Sequence, residues 1–485
     1  MTIDWTYAAV IAFVIDWVIK IGFLLYIPRT RKPSAAIAWL LVIFLVPWLG
    51  IALYLFIGSP KLSRRRREIQ KEVDGIIAAS ARDYDDELTD MPPTAQDRIS
   101  TVAALNLALG KLPVRAGNSV VILPEYDKAI DDIVEEIEQS EEFVHLEYFI
   151  ITLDKTTLPV FEALERAVKR GVKVRVLFDT IGYSRFPRHK EMKKLLTSIG
   201  AEWYAMLPFK LSWKKYNRLD LRNHRKIVVI DDRVAYIGSQ NLIDRGYHRK
   251  DGIYYDELSA KLTGPIVRQC SVIFASDWYA ETGEILSKIA DPRLRPLPKK
   301  TGAIHAQIVP GGPGYETGNI SSLITHLLHT AHTKIVITNP YFVPDEALLA
   351  AITTAARRGV EVILINSKAM DQWMVGHAQR SYYAELIAAG VQIYLYKHPV
   401  LLHSKHMTID DDIAVIGSSN MDIRSFELDL ECVLITYDAS VVSDLNHIQK
   451  IDLSHCDPVN LTKWNQRGIL DTFRDSLARL MASLL

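Results

Sequence analysis

Two copies of one short pattern, HxKxxxxD followed by GSxN, supply the residues whose types and spacing could do chemistry. In chain order the copies are His224, Lys226, Asp231 and residues 238–241, then His403, Lys405, Asp410 and residues 417–420. Each copy offers an imidazole that can gain or lose a proton near neutral pH, and an ammonium group that can neutralise a phosphate. One copy could arise by chance, but two copies with the same downstream offset point to shared chemistry. The repetition predicts phosphodiester chemistry performed by two histidines.

Neither copy is a complete catalyst, but two copies placed face to face would be. In-line displacement at phosphorus needs a nucleophile, a proton donor opposite it, and fixed positive charge around the phosphate oxygens. One imidazole must be neutral to attack, and the other must be protonated to release the leaving alcohol. Because two lysines would neutralise the phosphate, we expect no metal and no other cofactor. His403 and His406 have a spacing seen in zinc sites, but strand parity sends them to opposite faces.

The first motif is predicted to lie on a β-hairpin. Residues two apart in a strand face the same way, so His224 and Lys226 project together. If residues 232–233 form a two-residue loop, Lys226 faces Ser239 and His224 faces Asn241. A β-bulge would shift this register.

The same reasoning applied to the second copy places Lys405 opposite Ser418 and His403 opposite Asn420. We therefore expect the phosphate to be bound by residues from both copies, namely Lys226, Lys405, Ser239, Asn241, Ser418 and Asn420.

Carboxylates are also needed, because an acidic partner fixes the tautomer of a catalytic imidazole. Glu257 and Glu431 are candidates, since each lies on a strand-like run shortly after the GSxN of its own half. The alternative, that they are ordinary surface carboxylates, stays open. Asp231 and Asp410 complete the predicted catalytic set. We expect them to hold the turns and pair with a base rather than perform chemistry themselves.

The elements that carry these motifs repeat along the chain. Residues 167–177 read AVKRGVKVRVL and residues 355–365 read AARRGVEVILI. In both, a helix ends at a glycine and a β-branched strand follows. This alternation predicts an α/β fold of two similar halves, residues 99–290 and 291–485, each a mixed sheet flanked by helices.

The N-terminus is apolar. Residues 5–27 and 35–57 are each 23 residues of mostly apolar sequence, long enough to cross a bilayer as helices. Asp16 and Lys20 interrupt the first stretch at a spacing that allows them to pair. We predict a two-helix transmembrane hairpin over residues 1–60. A cleaved signal peptide is disfavoured, because the first stretch is too long and a second follows at once.

Charge sets the expected topology and partners. Residues 61–98 are predicted to form a basic connecting helix and linker, and they open with five cations, Lys61 and Arg64 to Arg67, against three in the hairpin link. Positive-inside counting then puts both ends of the hairpin in the cytoplasm. Lys+Arg and Asp+Glu are equal at 57 each, which argues against a nucleic-acid partner. The three cysteines suit a reduced compartment and offer no metal cluster.

The paired motifs resemble the phospholipase D superfamily, whose hallmark is the duplicated HxKxxxxD with GSxN. Further motifs resemble the membrane-bound bacterial cardiolipin synthases of that superfamily, namely residues 47–50, 145–149, 339–345, 380–382 and 421–425. The resemblance covers nearly the whole chain. One departure is the long, polar stretch 244–256, which puts the carboxylate partner of His224 in doubt.

This resemblance implies phosphatidyl transfer between two phosphatidylglycerol molecules, giving cardiolipin and glycerol. His224 would be the nucleophile that forms a phosphohistidine, and His403 the general acid and base. It also implies a multi-pass protein of the bacterial inner membrane with a cytoplasmic catalytic domain and membrane lipid as its partner. The oligomeric state stays open.

Three alternatives remain. Water or another alcohol could accept the phosphatidyl group, which would make the protein a lipid hydrolase or a different transferase. A nuclease is disfavoured by the neutral charge and the membrane segment, and an inactive lipid-binding scaffold by the two intact motifs.

Overall fold

The computed structural model describes residues 5–31, 33–58, 68–69, 71–72, 75, 93–208, 220–247, 252–286, 296–313, 315 and 318–480. Most of the predicted basic connecting segment, including Lys61 and Arg64 to Arg67, lies outside these residues. The N-terminal apolar segment and the α/β part of the chain are separate compact units. They are described in turn.

The N-terminal unit begins with one long apolar helix. Its elements are α1 (Trp5–Tyr26), a 3-10 turn (Ile27–Arg29), α2 (Pro33–Leu45) and α3 (Pro47–Ile57). Among the described residues, one stretch, Ala9–Arg29, is helical, long and apolar enough to cross a membrane. Within it Lys20 Nζ lies 2.7 Å from Asp16 Oδ2, so the predicted i,i+4 pair is confirmed.

The prediction of one continuous spanning helix over residues 35–57 is wrong, because the helix breaks at Pro47. Proline has no N–H to donate and disfavours helical geometry in the preceding residue, and Val46 has φ −134° and ψ 75°. The two helices hold 13 and 11 residues, or roughly 20 and 17 Å, each shorter than a hydrocarbon core of about 30 Å. A Cβ at Gly50 would lie 2.8 Å from Ile43 Cα. Glycine therefore lets α3 fold back closely onto α2.

The α/β unit alternates strands and helices as predicted. Its first part contains α4 (Pro93–Gly110), β1 (Arg115–Leu123), α5 (Tyr126–Glu138), β2 (Phe143–Tyr148), α6 (Leu158–Lys169), β3 (Lys173–Asp179), α7 (Thr180–Ser184), α8 (His189–Ser198), β4 (Glu202–Met206), β5 (Arg222–Asn223), β6 (Ile227–Ile230), β7 (Val234–Gly238), β8 (Tyr254–Asp256), β9 (Ser259–Thr263) and α9 (Val267–Thr282).

The second part repeats this plan. It contains β10 (Ile304–Gly311), α10 (Asn319–Thr330), β11 (Lys334–Thr338), β12 (Phe342–Val343), α11 (Glu346–Arg357), β13 (Glu361–Ser367), α12 (Trp373–Ala388), β14 (Gln392–Tyr396), β15 (Val400–Leu402), β16 (His406–Ile409), β17 (Ile413–Gly417), β18 (Met421–Asp422), α13 (Ile423–Glu427), β19 (Asp429–Thr436), α14 (Ala439–Ser454), β20 (Cys456–Pro458), α15 (Leu461–Asn465) and α16 (Ile469–Leu480).

The predicted helix ends at the repeated glycines are confirmed. Gly171 and Gly359 both have φ 92°, a left-handed value that glycine adopts at low cost. After each glycine the chain bonds back to its helix, from Val172 N–H to Ala167 O at 3.1 Å and from Val360 N–H to Ala355 O at 3.2 Å. The helices α6 and α11 thus stop where their strands must begin.

One mixed sheet runs through both halves. Its order is β20-β14-β13-β11-β16-β17-β19-β10-β1-β9-β7-β6-β2-β3-β4, with β5 added beside β19. Each half has a parallel outer part, β2-β3-β4 or β11-β13-β14, and an antiparallel inner part. The antiparallel pair β1-β10 joins the halves. The predicted α/β class with two similar halves is confirmed.

The halves also exchange helices. Ile99 and Val102 of α4 belong to the hydrophobic core of the second half, packed with Leu323 and Ile335. In return, Val441 and Leu445 of α14 belong to the core that contains Phe274 of α9. A first half starting at residue 99 therefore does not describe the packing, because residues 99–110 serve the second half. The two halves share buried surface and form one unit.

Candidate active site

The segment before each motif histidine pairs with a strand of the opposite half. Residues Arg222 and Asn223 of β5 run parallel to Asp429 and Leu430 of β19. The next N–H, that of His224, donates to Leu430 O at 2.8 Å. The backbone of the first motif is thus fixed to the second half.

The second motif repeats this arrangement in reverse. Residues 400–402 of β15 run parallel to residues 254–256 of β8, and His403 N–H donates to Asp256 O at 2.7 Å. Each histidine therefore enters the site beside a strand that belongs to the other half. This exchange brings the two motifs together.

Each imidazole contacts a glutamate from the other half. His224 Nδ1 lies 2.9 Å from Glu431 Oε1, and His403 Nδ1 lies 2.8 Å from Glu257 Oε1. All four side chains are buried. A carboxylate at Nδ1 favours the proton on that nitrogen and leaves Nε2 for chemistry. The two glutamates contact the histidines as expected, but pairing by nearness in sequence is wrong, because the strand exchange carries each glutamate across the interface.

The two lysines lie against the same histidines. Lys226 Nζ donates to His224 O at 2.6 Å, and Lys405 Nζ to His403 O at 2.5 Å. Lys405 Nζ also lies 3.1 Å from His403 Nδ1. Burial lowers the pKa of Lys226 to about 7 and that of Lys405 to about 8. An anionic phosphate bound beside them would restore their full charge, since an opposite charge favours the ionised form.

Electrostatics connect the two motifs. Burial lowers the pKa of His224 well below its usual value, and Lys226, Lys405 and His403 lower it further. Two of these three groups come from the other copy of the motif. Together with the crossed strand pairings, these charge effects support the hypothesis that the two copies share one site.

The two histidine–glutamate pairs differ in charge. Burial raises the pKa of Glu257, but His403 and Lys405 outweigh burial and leave it below its usual value. Burial raises the pKa of Glu431 to about 7. Burial also lowers the pKa of His403, and Glu257 opposes this change. Both imidazoles therefore have lowered pKa values, and the pKa of His403 is lowered less because the carboxylate of Glu257 opposes burial.

The predicted hairpin register is wrong by one residue in both copies. Ile230 pairs with Val234 and Ile409 with Ile413, so each loop has three residues rather than two. Positive φ values at Asp231 (54°) and Asp232 (57°), and at Asp410 (50°), make room for the extra residue. Aspartate tolerates this left-handed conformation better than most residues.

The shift gives the two serines a different position from the predicted one. Ser418 Oγ donates to Glu431 Oε2 at 2.5 Å and accepts from Cys432 N–H at 3.0 Å. Ser239 Oγ accepts from Leu258 N–H at 3.0 Å and donates to Leu258 O at 3.3 Å. Ser418 therefore orients the carboxylate of Glu431, and the predicted contact of the two serines with the phosphate stays a prediction.

The two motif asparagines are buried beside the serines. Asn241 Oδ1 accepts from Ile150 N–H at 3.1 Å, which ties the first motif to the end of β2. The side-chain oxygen of Asn420 has no hydrogen-bond partner within the described residues. The predicted phosphate contact of Asn420 therefore stays a prediction, and Asn241 has a structural bond.

The motif aspartates lie at the turns. Asp231 accepts three backbone N–H bonds from residues 141–143, each at 2.8 Å. Asp410 accepts from the backbone of residues 332–334 and from Arg98. Six residues of largely extended chain separate each aspartate from its histidine, or roughly 20 Å. The structure thus brings the histidines, lysines and glutamates together and leaves the aspartates as anchors of the hairpins.

Sequence reasoning missed a cluster that packs against His403. The rings of Tyr255 and Tyr341 meet the imidazole edge-on, with centroids at 5.4 and 5.9 Å. Both hydroxyls donate to Asp371, Tyr255 at 3.0 Å and Tyr341 at 2.5 Å. Tyr341 could have been found as part of the motif at 339–345, but Asp371 carries no local signal.

A second missed residue is Arg225, between the motif histidine and lysine. It is fully buried, donates from Nε to Glu431 O at 3.0 Å and pairs with Asp277. On the other side of His224, Asp179 accepts from Asn223 N–H at 3.0 Å. The backbone around His224 is therefore fixed from both halves, which preorganises the imidazole.

Comparison with known proteins gives consistent results. A family described as "Cardiolipin synthase, PLD-like domain" matches residues 133–278 and 324–451, and one described as "Phospholipase_D-nuclease N-terminal" matches residues 8–59. Cardiolipin synthase A of Pectobacterium carotovorum is 32% identical, covering 97% of this chain and 99% of that protein. Cardiolipin synthase A of Yersinia pseudotuberculosis is 31% identical with the same coverage. The crystal structure of phosphatidylserine synthase from Haemophilus influenzae matches with a TM-score of 0.59 and 17% identity, over 79% of this chain and 99% of that one, and supports the fold alone.

Proposed function

The chain belongs to the phospholipase D-like cardiolipin synthase family, and we propose that it transfers a phosphatidyl group between two phosphatidylglycerol molecules, forming cardiolipin and glycerol. The observation that carries this proposal is the crossed pairing of His224 with Glu431 and of His403 with Glu257. It gives two buried imidazoles, each with its Nε2 left for chemistry. Two ammonium groups beside them complement the negative charge of a phosphodiester and the further charge that builds on its oxygens during displacement.

In the first step, His224 Nε2 attacks the phosphorus of one phosphatidylglycerol. A P–N bond forms, the P–O bond to glycerol breaks, and His403 gives its proton to the departing glycerol oxygen. Lys226 and Lys405 stabilise the charge that gathers on the phosphate oxygens. The product is a phosphatidyl group bound to His224, with neutral His403 opposite.

In the second step, a hydroxyl group of a second phosphatidylglycerol attacks the same phosphorus. Neutral His403 takes the hydroxyl proton as the new P–O bond forms and the P–N bond breaks. Cardiolipin leaves, and both imidazoles return to their starting states. One phosphodiester replaces another, so the reaction needs neither a nucleotide nor a metal to balance.

The charge difference between the two pairs supports this order of roles. A nucleophile must be neutral, and the pKa of His224 is lowered by burial and by two neighbouring ammonium groups. A general acid must hold a proton, and ionised Glu257 limits the fall that burial causes in the pKa of His403. We therefore assign attack to His224 and proton transfer to His403.

The reaction belongs at a membrane, because its substrates are insoluble lipids. The apolar stretch at Ala9–Arg29 accounts for membrane association of the chain. The finer localisation is a proposal: a multi-pass protein of the bacterial inner membrane with its catalytic unit on the cytoplasmic side, supported by the cations at Lys61 and Arg64 to Arg67. Protease treatment of inverted and right-side-out membrane vesicles checks it, and cleavage of the catalytic unit in right-side-out vesicles would contradict it.

Product analysis tests the proposed activity. Purified full-length protein is incubated with phosphatidylglycerol whose headgroup and acyl chains carry different labels. We expect cardiolipin and free glycerol in equal amounts, no activity in His224→Ala, and full activity in the matched control His329→Ala, which changes an exposed histidine of α10. Phosphatidic acid as the main product would make the protein a hydrolase. A new phosphatidyl ester formed only after another alcohol is added would make it a different transferase.

The roles of the two histidines can be separated with an activated substrate. Phosphatidyl-p-nitrophenol has a leaving group that departs without a proton. With His403→Ala we expect a burst of one p-nitrophenol per protein and a phosphatidyl label retained on the peptide containing His224. No burst is expected with His224→Ala. A label on the peptide containing His403 in the His224 variant would reverse the assignment.

A further inference from the structure

The helix α16 turns its apolar face outward. Its large apolar residues are between 52% and 88% exposed, namely Ile469, Leu470, Phe473, Leu477 and Leu480. At 100° per residue these five positions fall within an arc of about 100° centred on Phe473. The buried positions, Asp475 and Ala478, lie on the opposite side. A surface helix normally buries its apolar stripe, so this helix presents the reverse of the usual arrangement.

Polar contacts hold α16 in this orientation. The buried carboxylate of Asp475 lies 2.6 Å from His377 Nδ1 and 2.6 Å from Arg467 Nη1. Arg479 Nη2 donates to Glu385 Oε2 at 3.1 Å and stacks over the ring of Tyr382. The inward side is thus fixed by ion pairs to α12, and the outward apolar side is a defined surface of the fold.

This surface begins at the wall of the active site. Asp475 contacts His377 and Arg479 contacts Glu385, so positions increase together along both helices and α12 and α16 run parallel. Their N-terminal ends therefore lie at the same end of the pair. Helix α12 starts at Trp373, two residues after Asp371, which bonds the tyrosines packed on His403.

The start of α12 extends the apolar surface. Trp373 is 65% exposed and Met374 is 38% exposed. Both lie at the end of α12 that is level with Ile469 and Phe473 of α16. We call the outward face of α16, together with the exposed Trp373 and Met374 at the start of α12, the α12/α16 surface.

We propose that the α12/α16 surface rests on the lipid bilayer and passes phosphatidylglycerol to the histidines. Tryptophan, phenylalanine and leucine on one face, with basic residues at its flanks, are typical of helices that lie in a membrane interface. Four cations lie in the segment 461–480, and two of them, Arg467 and Arg479, hold the inward ion pairs to Asp475 and Glu385. The other two, Lys463 and Arg474, are exposed, and Arg474 pairs with Asp471. An exposed apolar stripe flanked by Lys463 and Arg474 fits a bilayer that contains anionic lipid. The proposal rests on the proposed function, since a lipid substrate must move out of the bilayer to bring its phosphorus atom to His224.

Fluorescence quenching tests the contact without using activity. The three native cysteines are buried, so a cysteine introduced as Phe473→Cys can be labelled with an environment-sensitive fluorophore in the full-length protein. The matched control is Ile451→Cys, 48% exposed on α14. In phosphatidylglycerol nanodiscs carrying acyl-chain nitroxides, we expect strong quenching at position 473 and little at 451. Equal, weak quenching at both positions would overturn the proposal, as would protection at 473 that follows dimer formation rather than lipid.

Kinetics then test whether the contact delivers substrate. The double variant Phe473→Ser, Leu477→Ser removes two large apolar groups without touching the buried face of α16. We expect kcat/KM to fall about tenfold or more with phosphatidylglycerol in vesicles, and to remain unchanged with dihexanoyl-phosphatidylglycerol below its micelle concentration. The control Ile451→Ser should change neither value. Equal losses on both substrates would overturn the proposal. No transfer by the unmodified protein on either substrate, with quenching intact, would instead reject the proposed function.

Discussion

Removing the carboxylate charge from one crossed pair at a time is the sharpest test of the site. Glu257→Gln removes the carboxylate 2.8 Å from His403 Nδ1, and Glu431→Gln removes the one 2.9 Å from His224 Nδ1. Both substitutions keep the size of the side chain, so they alter charge and leave packing nearly unchanged. They form a matched pair of variants, one for each histidine.

The two substitutions should change opposite limbs of the pH profile of kcat/KM. A neighbouring opposite charge shifts a pKa by about 1–3 pH units in partly desolvated sites. As the proposed general acid, His403 is active while protonated. Losing the negative charge of Glu257 lowers the pKa of His403, because that charge favours the imidazolium form. The alkaline limb of kcat/KM should therefore move down by about 1–3 pH units, with a loss of roughly tenfold per unit at a fixed pH beyond the new limb.

Glu431→Gln should change the acid limb instead. As the proposed nucleophile, His224 is active while neutral, so a lower pKa of His224 in this variant moves the acid limb to lower pH and leaves the alkaline limb in place. The shift should be smaller, because burial raises the pKa of Glu431 to about 7 and it carries only part of its charge near neutrality. Lower maximal activity is also expected, since an amide can donate to Nδ1 and favour the wrong tautomer.

The assay is kcat/KM for cardiolipin formation between pH 5 and 9, at constant ionic strength, for the unmodified protein and both variants. A shift of the acid limb in Glu257→Gln, with the alkaline limb moving in Glu431→Gln, would refute the assignment of roles. Unchanged limbs in both variants would refute the argument that the crossed carboxylates set the protonation of the imidazoles.

Three further outcomes follow from the same structure. Backbone N–H bonds outweigh burial and lower the pKa of Asp410 to about 2. The stabilisation by this carboxylate is fully present above pH 4 and is lost as pH falls through 2. Asp410→Asn should therefore cost about 1–2 kcal/mol at pH 7, after allowance for solvent screening, and progressively less below pH 4 in denaturant melts. Asp371→Asn weakens the hydrogen bonds that hold Tyr255 and Tyr341 against His403. We expect kcat to fall roughly three- to tenfold with thermal stability nearly unchanged. An unaltered kcat would show that Asp371 does not position that imidazole. Lys405→Met should lower kcat about 100-fold or more, because the positive charge beside the phosphate oxygens is lost. EDTA should leave the rate of the unmodified protein unchanged. Loss of activity in EDTA and its restoration by a divalent ion would contradict the argument that lysines neutralise the phosphate.

The sequence predicted those features that depend on residues close together in the chain. The glycines at 171 and 359 end their helices because the left-handed turn is inexpensive only for glycine. The pair of HxKxxxxD motifs identified the two histidines and two lysines because few other sequences place those groups at that spacing. The break at Pro47 was also visible in the sequence, but the apolar composition of residues 35–57 outweighed it in the prediction.

The two glutamates could be named from the sequence, but their crossed pairing with the histidines could not. Glu431 lies 207 residues from His224, and Glu257 lies 146 residues from His403, and strand exchange between the halves alone brings them together. The hairpin register failed for a related reason. A two-residue loop is a good default, but the positive φ at Asp231 is stabilised by N–H groups from residues 141–143, which the hairpin sequence does not contain.

The crossed pairs have a consequence for how such a protein can change over generations. A substitution at Glu431 disables the histidine of the opposite repeat, so the two repeats cannot diverge as separate enzymes while they share one chain. If the repeats arose by joining two copies of a shorter ancestor, the same crossing places each carboxylate in the neighbouring subunit. That ancestor would have been inactive as a monomer and active only as a dimer, because each monomer would lack the carboxylate partner of its own histidine.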